Sequence, residues 1–209
     1  MNSVPTLRRF VLATFLWLPA CFALWSWSSP VHTEVLGWLT RWVTAMLAPG
    51  VLSAVERSGH ELVFVSTVAV QGGVLAGEVN ALTYSYGLPL YLALCLAGRA
   101  PWTRTLVAAA VLLPVLSACI SFAFLVQFLA AGPAIAGAAG IIGWRAEAVA
   151  LAYQLGTLVV PGLAPIALWS VANRAWVAAT ALPYPRVRQR TDPSAGDPHD
   201  GAPQYRESP

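Results

Sequence analysis

Apolar residues fall into four long runs that are separated by more polar segments. The runs cover residues 10–27, 82–98, 106–128 and 146–171. A helix needs about 20 apolar residues to cross a hydrocarbon core of about 30 Å, because each residue rises about 1.5 Å. Each run comes close to that length. The pattern therefore predicts a mainly α-helical, polytopic membrane protein with four transmembrane helices.

The composition supports a membrane location and bears on the partners. Of the 209 residues, 57% are hydrophobic and 10% are charged, whereas about 25% are charged in an average soluble domain. The net charge of +3 favours contact with anionic lipid headgroups, so membrane lipids are expected partners. Nucleic acid is not expected, because no basic stripe with interleaved aromatic residues occurs.

The arginines are unevenly distributed among the segments between the runs. The larger group lies before the first run, between the second and third runs, and after the fourth run. Its members are Arg8, Arg9, Arg99, Arg104, Arg174, Arg186, Arg188, Arg190 and Arg206. The other two connections hold only Arg41, Arg57 and Arg145. Positive charge is retained on the cytoplasmic side, so both termini are predicted to be cytoplasmic.

Residues 31–80 predict a small extracytoplasmic module between the first two runs. Residues 31–47 repeat apolar side chains at spacings of three and four, which is typical of an amphipathic helix, and we expect it to lie along the outer membrane surface. Residues 62–70 and 74–79, joined by a Gln-Gly-Gly turn, predict a β-hairpin. Two strands alone are marginally stable, so the hairpin has to pack on this helix or on a partner.

The remaining organisation follows from composition. Residues 1–176, including the module, form the predicted membrane domain, and residues 177–209 are predicted to be a disordered cytoplasmic tail. Residues 130–143 are too apolar for an ordinary loop, which leaves a surface-hugging and a re-entrant segment as alternatives.

Polar residues in the fourth run are candidates for interaction. Glu147 and Gln154 are seven residues apart, and hence on one helix face. Arg145 and Arg57 are conceivable partners for Glu147, but stabilisation of Glu147 by the helix N-terminus is the favoured explanation. For Gln154, interhelical hydrogen bonding is favoured over catalysis.

Further candidates lie around the start of the second run. Asn80 is expected to cap the following helix, and Tyr84 and Tyr86 occupy positions typical of an interfacial aromatic belt. The full set of candidate interaction residues is Asn80, Tyr84, Tyr86, Trp144, Arg145, Glu147, Tyr153 and Gln154.

Catalytic chemistry is not indicated. Cys21, Cys95 and Cys119 form no CxxC pair, all lie within apolar runs, and are expected to be buried without disulfides. There is no GxSxG, no HExxH, no phosphate-binding glycine loop and no acidic metal cluster, so no cofactor, metal or catalytic residue is predicted. The alternative, a membrane cysteine enzyme that uses Cys21 or Cys119, is disfavoured because no histidine is clearly placed to activate the thiol.

Three stretches resemble a known family. They are 9–22 with its Trp-Leu-Pro-Ala-Cys-Phe motif, 80–89 with Asn-Ala-Leu-Thr-Tyr-Ser-Tyr-Gly-Leu-Pro, and 144–174, from Trp-Arg-Ala-Glu to Asn-Arg. In order and spacing they resemble the exosortase-associated membrane proteins, in particular those that accompany exosortase H. The resemblance covers roughly residues 8–176. It implies an inner-membrane accessory of a system that sorts exported proteins by a carboxy-terminal signal, in which the exosortase is the separate enzyme.

The sequence therefore predicts one of two functions. The leading one is a non-catalytic accessory protein of the inner membrane that binds an exosortase or its exported substrate through the outer module and the polar face of the fourth helix. The alternative is a small transporter or channel subunit with a path along that same face.

Overall fold

The structure, a computed structural model, describes residues 7–70, 72–98 and 101–181. In chain order the elements are α1 (Leu7–Trp27), α2 (Ser29–Leu47), β1 (Leu52–Ser58), β2 (Glu61–Val70), β3 (Gly73–Asn80), α3 (Leu82–Ser85), α4 (Gly87–Gly98), α5 (Trp102–Ala130), α6 (Pro133–Ala138), α7 (Trp144–Leu158), α8 (Val160–Ala172) and α9 (Arg174–Ala181).

Helix α5 is the central element on which the others pack. It has 29 residues and is apolar almost throughout, and its Leu112, Leu116, Ile120 and Phe124 are fully buried. Helices α2, α7 and α8 contact α5 directly, while α1 packs on α4 and α4 packs on α8. The first part of α5 thus lies within a helical bundle, and its last turns support the sheet.

In the described part of the chain, two helices, α1 and α5, are long and apolar enough to cross a membrane, and a third span is added if α7 and α8 are counted together. The second predicted span is the short apolar segment Leu82–Gly98, which is divided at Tyr86 into α3 and α4. The chain is therefore a mainly helical membrane protein. The count of four spans stays a prediction.

The fourth predicted span is not one straight helix. Helices α7 and α8 are bent by 72° at Val159. Pro161 lies in the first turn of α8, where a proline is accommodated because its missing N–H is not needed. The continuous apolar run hides this bend, since both halves are apolar.

The predicted hairpin is present and is extended by a third strand. The sheet has the antiparallel order β1-β2-β3, with Leu62 opposite Val79 and Phe64 opposite Gly77. Strand β1 was not predicted, because its Ser, Glu and Arg residues leave a weak apolar alternation. It turns into β2 at Gly59, whose φ of +64° favours glycine.

The sheet rests on the last turns of α5. The rings of Phe64 and Phe124 stack with centroids 4.7 Å apart, and both side chains are fully buried. Gln127 Nε2 donates to the carbonyl oxygen of Glu78 at 3.2 Å. A side chain at Gly77 would meet the Gln127 amide, which would have to move away from Glu78. These contacts fix the sheet to α5.

The helix predicted over residues 31–47 is confirmed as α2. The side chains on its buried and exposed faces differ from those of a helix in a soluble protein. Its buried face is made of small and hydroxyl-bearing residues, namely Thr33, Gly37, Thr40 and Thr44, together with Leu36. Thr44 Oγ1 donates to Ser121 Oγ of α5 at 2.9 Å. Its exposed face carries the large apolar residues Val31, Val35, Trp38, Trp42 and Met46. Small residues between helices and large ones outside are typical of helices in lipid.

The last two segments complete the fold. Residues 130–143, for which the sequence left a surface-hugging or a re-entrant segment as alternatives, form the short helix α6 and tight turns that pack on α5 and β2.

Helix α9 carries Trp176, whose ring lies 4.7 Å from that of Phe10 and 5.3 Å from that of Trp169. The first residues of the predicted tail are therefore helical, and residues 182–209 lie outside the described residues.

Candidate interaction site

A groove of about 560 Å³ opens where the sheet, α5 and the start of α7 meet. One wall is the connection from α2 to β1 with the adjoining part of β2, and the other is formed by the end of α6 and the first turns of α7. Phe122 and Leu125 of α5 lie in the lining between them. The groove is thus built by elements that are far apart in the sequence.

Glycines shape the α6–α7 side of the groove. Gly140 and Gly143 have φ values of +70° and +55°, which side chains other than glycine rarely adopt. These turns bring Ala139 and Ile141 into buried positions, and Ile141 N donates to the carbonyl oxygen of Ala136 at 2.8 Å. The apolar composition of residues 130–143 is therefore explained by the burial of residues that form this side of the groove.

Arg145 is the charged residue in the groove lining. Its side chain is exposed, and no hydrogen bond or ion pair within the described part of the chain involves it. Trp144 beside it is 75% exposed. Thr67 on the opposite side is already engaged, since its hydroxyl donates to the carbonyl oxygen of Gly50 at 2.6 Å. An apolar groove with one free guanidinium suits a ligand that has apolar groups and an anionic group.

The position of Glu147 agrees with the favoured explanation. It is exposed in the first turn of α7, where the helix dipole favours a carboxylate. The conceivable partnership with Arg57 is wrong, because Arg57 Nε bonds Glu34 Oε2 at 3.0 Å. Glu147 and Arg145 are near neighbours in the chain, yet no ion pair joins them in the described residues.

The expectation for Gln154 is wrong in this structure. Gln154 is exposed, and no hydrogen bond involves its amide among the residues described. The glutamine that does bond between elements is Gln127, which sequence reasoning missed. Both are single amides in apolar surroundings, and only the three-dimensional arrangement distinguishes them.

The residues at the start of the second predicted span have structural roles. Asn80 Oδ1 accepts a hydrogen bond from Leu82 N at 2.9 Å, although the N-cap residue of α3 is Ala81 rather than Asn80. Tyr84 is 5% exposed and its hydroxyl lies 3.3 Å from Thr157 Oγ1 of α7, so it does not face lipid as an interfacial residue would. Tyr86 is partly buried and lies beside α8, with its hydroxyl near Gly162.

The eight candidates therefore separate into groups. Trp144 and Arg145 line the groove, whereas Tyr84 packs where α3 meets α7. Tyr153 is partly buried one turn before Thr157, and its carbonyl oxygen accepts from that hydroxyl at 2.9 Å. Sequence reasoning missed the wall from Leu47 to Val51, whose signal was only a Pro-Gly turn.

Groups with catalytic potential are scattered. Cys21, Cys95 and Cys119 are buried and free. His32 stacks on Trp25, with ring centroids 5.8 Å apart, and burial lowers its pKa below the usual 6.5. No cluster of three or more histidine, cysteine or acidic residues suited to a metal occurs in the ranges that the structure describes.

Comparison with known protein families identifies a match over most of the chain. The family described as exosortase H-associated membrane protein matches residues 4–176. No curated protein matches the chain. No solved structure matches it either.

Proposed function

We propose that this chain, which belongs to the exosortase H-associated membrane protein family, is a non-catalytic inner-membrane accessory that binds the exosortase or its exported substrate. In this proposal the groove beside Arg145 is the contact surface. The observation that carries it is an apolar groove with one unpaired arginine, built at the end of α5 that bears the sheet.

The distribution of arginines supports an outward-facing groove. Arg8 and Arg9 lie at the start of α1, Arg104 at the start of α5 and Arg174 at the start of α9. These helix ends lie on one side, because Phe10 and Trp176 both contact Trp169 of α8, and α8 passes Arg104. The positive-inside rule makes that side cytoplasmic and the sheet side extracytoplasmic.

The chemistry of the side chains supports a non-catalytic role. A cysteine nucleophile requires a neighbouring base and access for the substrate. The three cysteines are buried, and in the described part of the chain no hydrogen bond joins any of them to a histidine. Arg145 can bind an anion but cannot act as a general base near neutral pH.

Co-purification tests this proposal directly. The tagged full-length chain is expressed with the exosortase and an exported substrate of the same system and recovered in mild detergent. Arg145→Glu places a like charge against an anionic partner and is expected to reduce the recovered partner at least about tenfold. Arg41→Glu is the matched control, since Arg41 is exposed on α2 of the predicted extracytoplasmic module and lies outside the groove lining.

The results of this experiment distinguish the groove as the contact surface from the accessory role itself. Loss with the Arg145 variant and retention with the Arg41 variant supports the groove as the contact surface. If both variants retain the partner, the groove is not the contact. If the unaltered chain recovers neither exosortase nor its substrate, the accessory role itself is wrong.

A transport path is the second candidate, and the bend between α7 and α8 favours it. Broken helices are typical of transporter binding sites. Gln154→Leu should then abolish transport at an unchanged protein level. If that variant alters only assembly, or has no effect, the path along α7 is excluded.

A further inference from the structure

A second groove lies at the other end of α5, where its first turns pass the last turns of α8. It measures about 410 Å³ and is lined by Thr103, Arg104, Val107, Ala108 and Val111 from α5, and by Leu168, Val171 and Ala172 from α8. It shares no lining residue with the groove beside Arg145. The accessory role makes no use of it.

The shape of this groove is that of a slot along the helix axis. The α5 residues from Thr103 to Val111 span eight steps, or about 12 Å of helix. The small residues Ala108 and Ala172 leave space between the two helices, and the rims carry Val107 and Val171, which are 68% and 71% exposed. An extended apolar chain fits such a slot better than a compact ligand does.

Polar groups are confined to one end of the slot. Arg104 is its charged residue, and it takes part in no ion pair within the ranges that the structure describes. It lies in the first turn of α5, where the N–H groups of Arg104 and Thr105 donate to the carbonyl oxygen of Pro101. The dipole of the helix start adds positive potential next to the guanidinium. An anion at this end would therefore meet both.

The surroundings indicate which molecule combines these features. Trp102 and Leu106 beside the slot are 68% and 65% exposed, which is expected of side chains that face the membrane. Tryptophan concentrates at the headgroup level of a bilayer, and basic pockets between transmembrane helices bind anionic headgroups. The positive end and the apolar slot thus lie in the order of a phospholipid headgroup and its acyl chain.

We propose that the groove between the start of α5 and the end of α8 binds an anionic phospholipid, with its phosphate at Arg104 and an acyl chain along Val107 and Val111. The site requires only that the chain lies in a membrane, and it is independent of the partner bound at Arg145. Its failure would leave the accessory role intact.

Native mass spectrometry of the full-length chain, released from detergent with added phosphatidylglycerol or phosphatidylcholine, tests the site. Phosphatidylglycerol is expected to be retained about fivefold more than phosphatidylcholine, as one arginine near a headgroup allows. Arg104→Gln should remove that preference. Arg41→Gln, which removes an exposed arginine outside both grooves, should leave it unchanged.

A second pair of variants tests the acyl slot. Val111→Trp fills the slot and should reduce the retention of both lipids, whereas Leu106→Trp, outside the lining, should not. Equal retention of the two lipids, or an unchanged preference in Arg104→Gln, would overturn the proposal. It is also overturned if Val111→Trp converts a dimer to a monomer without changing lipid retention, because the groove would then join two copies of the chain.

Discussion

The attachment of the sheet to α5 gives the sharpest prediction about stability. Phe64 is completely buried, and its ring stacks on that of Phe124 at 4.7 Å and 17°. Phe64→Ala removes a buried aromatic ring and is expected to cost about 3–5 kcal/mol. Since whole domains are stable by only about 5–15 kcal/mol, the sheet should separate from α5 well before the rest of the chain unfolds. Equilibrium unfolding in mixed micelles, with limited proteolysis of the sheet, measures both effects.

A double-mutant cycle assigns this loss to the contact itself. Phe64→Leu and Phe124→Leu keep an apolar side chain, so their coupling energy should be about 0.5–1.5 kcal/mol if the stacked pair holds the sheet. Val74→Ala on β3 is the control, because Val74 is 48% exposed and should cost less than about 1 kcal/mol. The reasoning fails if Phe64→Ala costs no more than this control, or if the two leucine variants are additive.

Three further outcomes are expected. Gly87→Val should prevent recovery of monodisperse protein on size exclusion, because its side chain would collide with the backbone of α8. Thr44→Val should cost about 0.5–1.5 kcal/mol in the same micelle titration because it removes the hydrogen bond to Ser121, and adding Ser121→Ala should cost more, since Ser121 Oγ also donates to the carbonyl oxygen of Ser117 at 2.9 Å. Burial lowers the pKa of His32, which also faces His60, so the folded chain binds fewer protons than the unfolded chain. Stability should then fall as the pH drops from about 8 to about 5, and His32→Asn should reduce that fall.

Local features of the fold could be predicted from the sequence. The hairpin follows from two β-branched segments around a Gly-Gly pair, and the hydrogen bond from Leu82 N to Asn80 follows from an amide two residues before the first helical residue. Each depends on residues that are close in the chain. The ends of α1 and α5 were likewise close to the predicted limits of 10–27 and 106–128, because apolar length is a local property.

Features that depend on distant residues could not be predicted. The bend at Val159 interrupts a continuous apolar run, and the close approach of α8 to Gly87 that accompanies it joins segments more than 70 residues apart. Gln127 and Gln154 look alike in sequence, yet only Gln127 lies opposite a strand carbonyl. Only one side of the groove beside Arg145 could be predicted, because its two walls come from distant segments. Its Trp144 and Arg145 were singled out, but the facing wall comes from the α2–β1 connection.

The length of α5 also limits what can reach the groove beside Arg145. Leu125, which lines that groove, lies 23 residues after Trp102, or about 35 Å along the helix. The hydrocarbon core is about 30 Å thick, so a helix that starts at one boundary places Leu125 just beyond the other, or at the boundary itself if it is tilted. A folded domain far from the membrane would not reach a groove at that height. The groove is instead accessible to an extended segment next to a transmembrane helix, or to a short outer loop of a membrane enzyme. We therefore expect the partner lost in Arg145→Glu to be membrane-embedded, and a version of it that is cut free of its transmembrane helix should no longer be recovered.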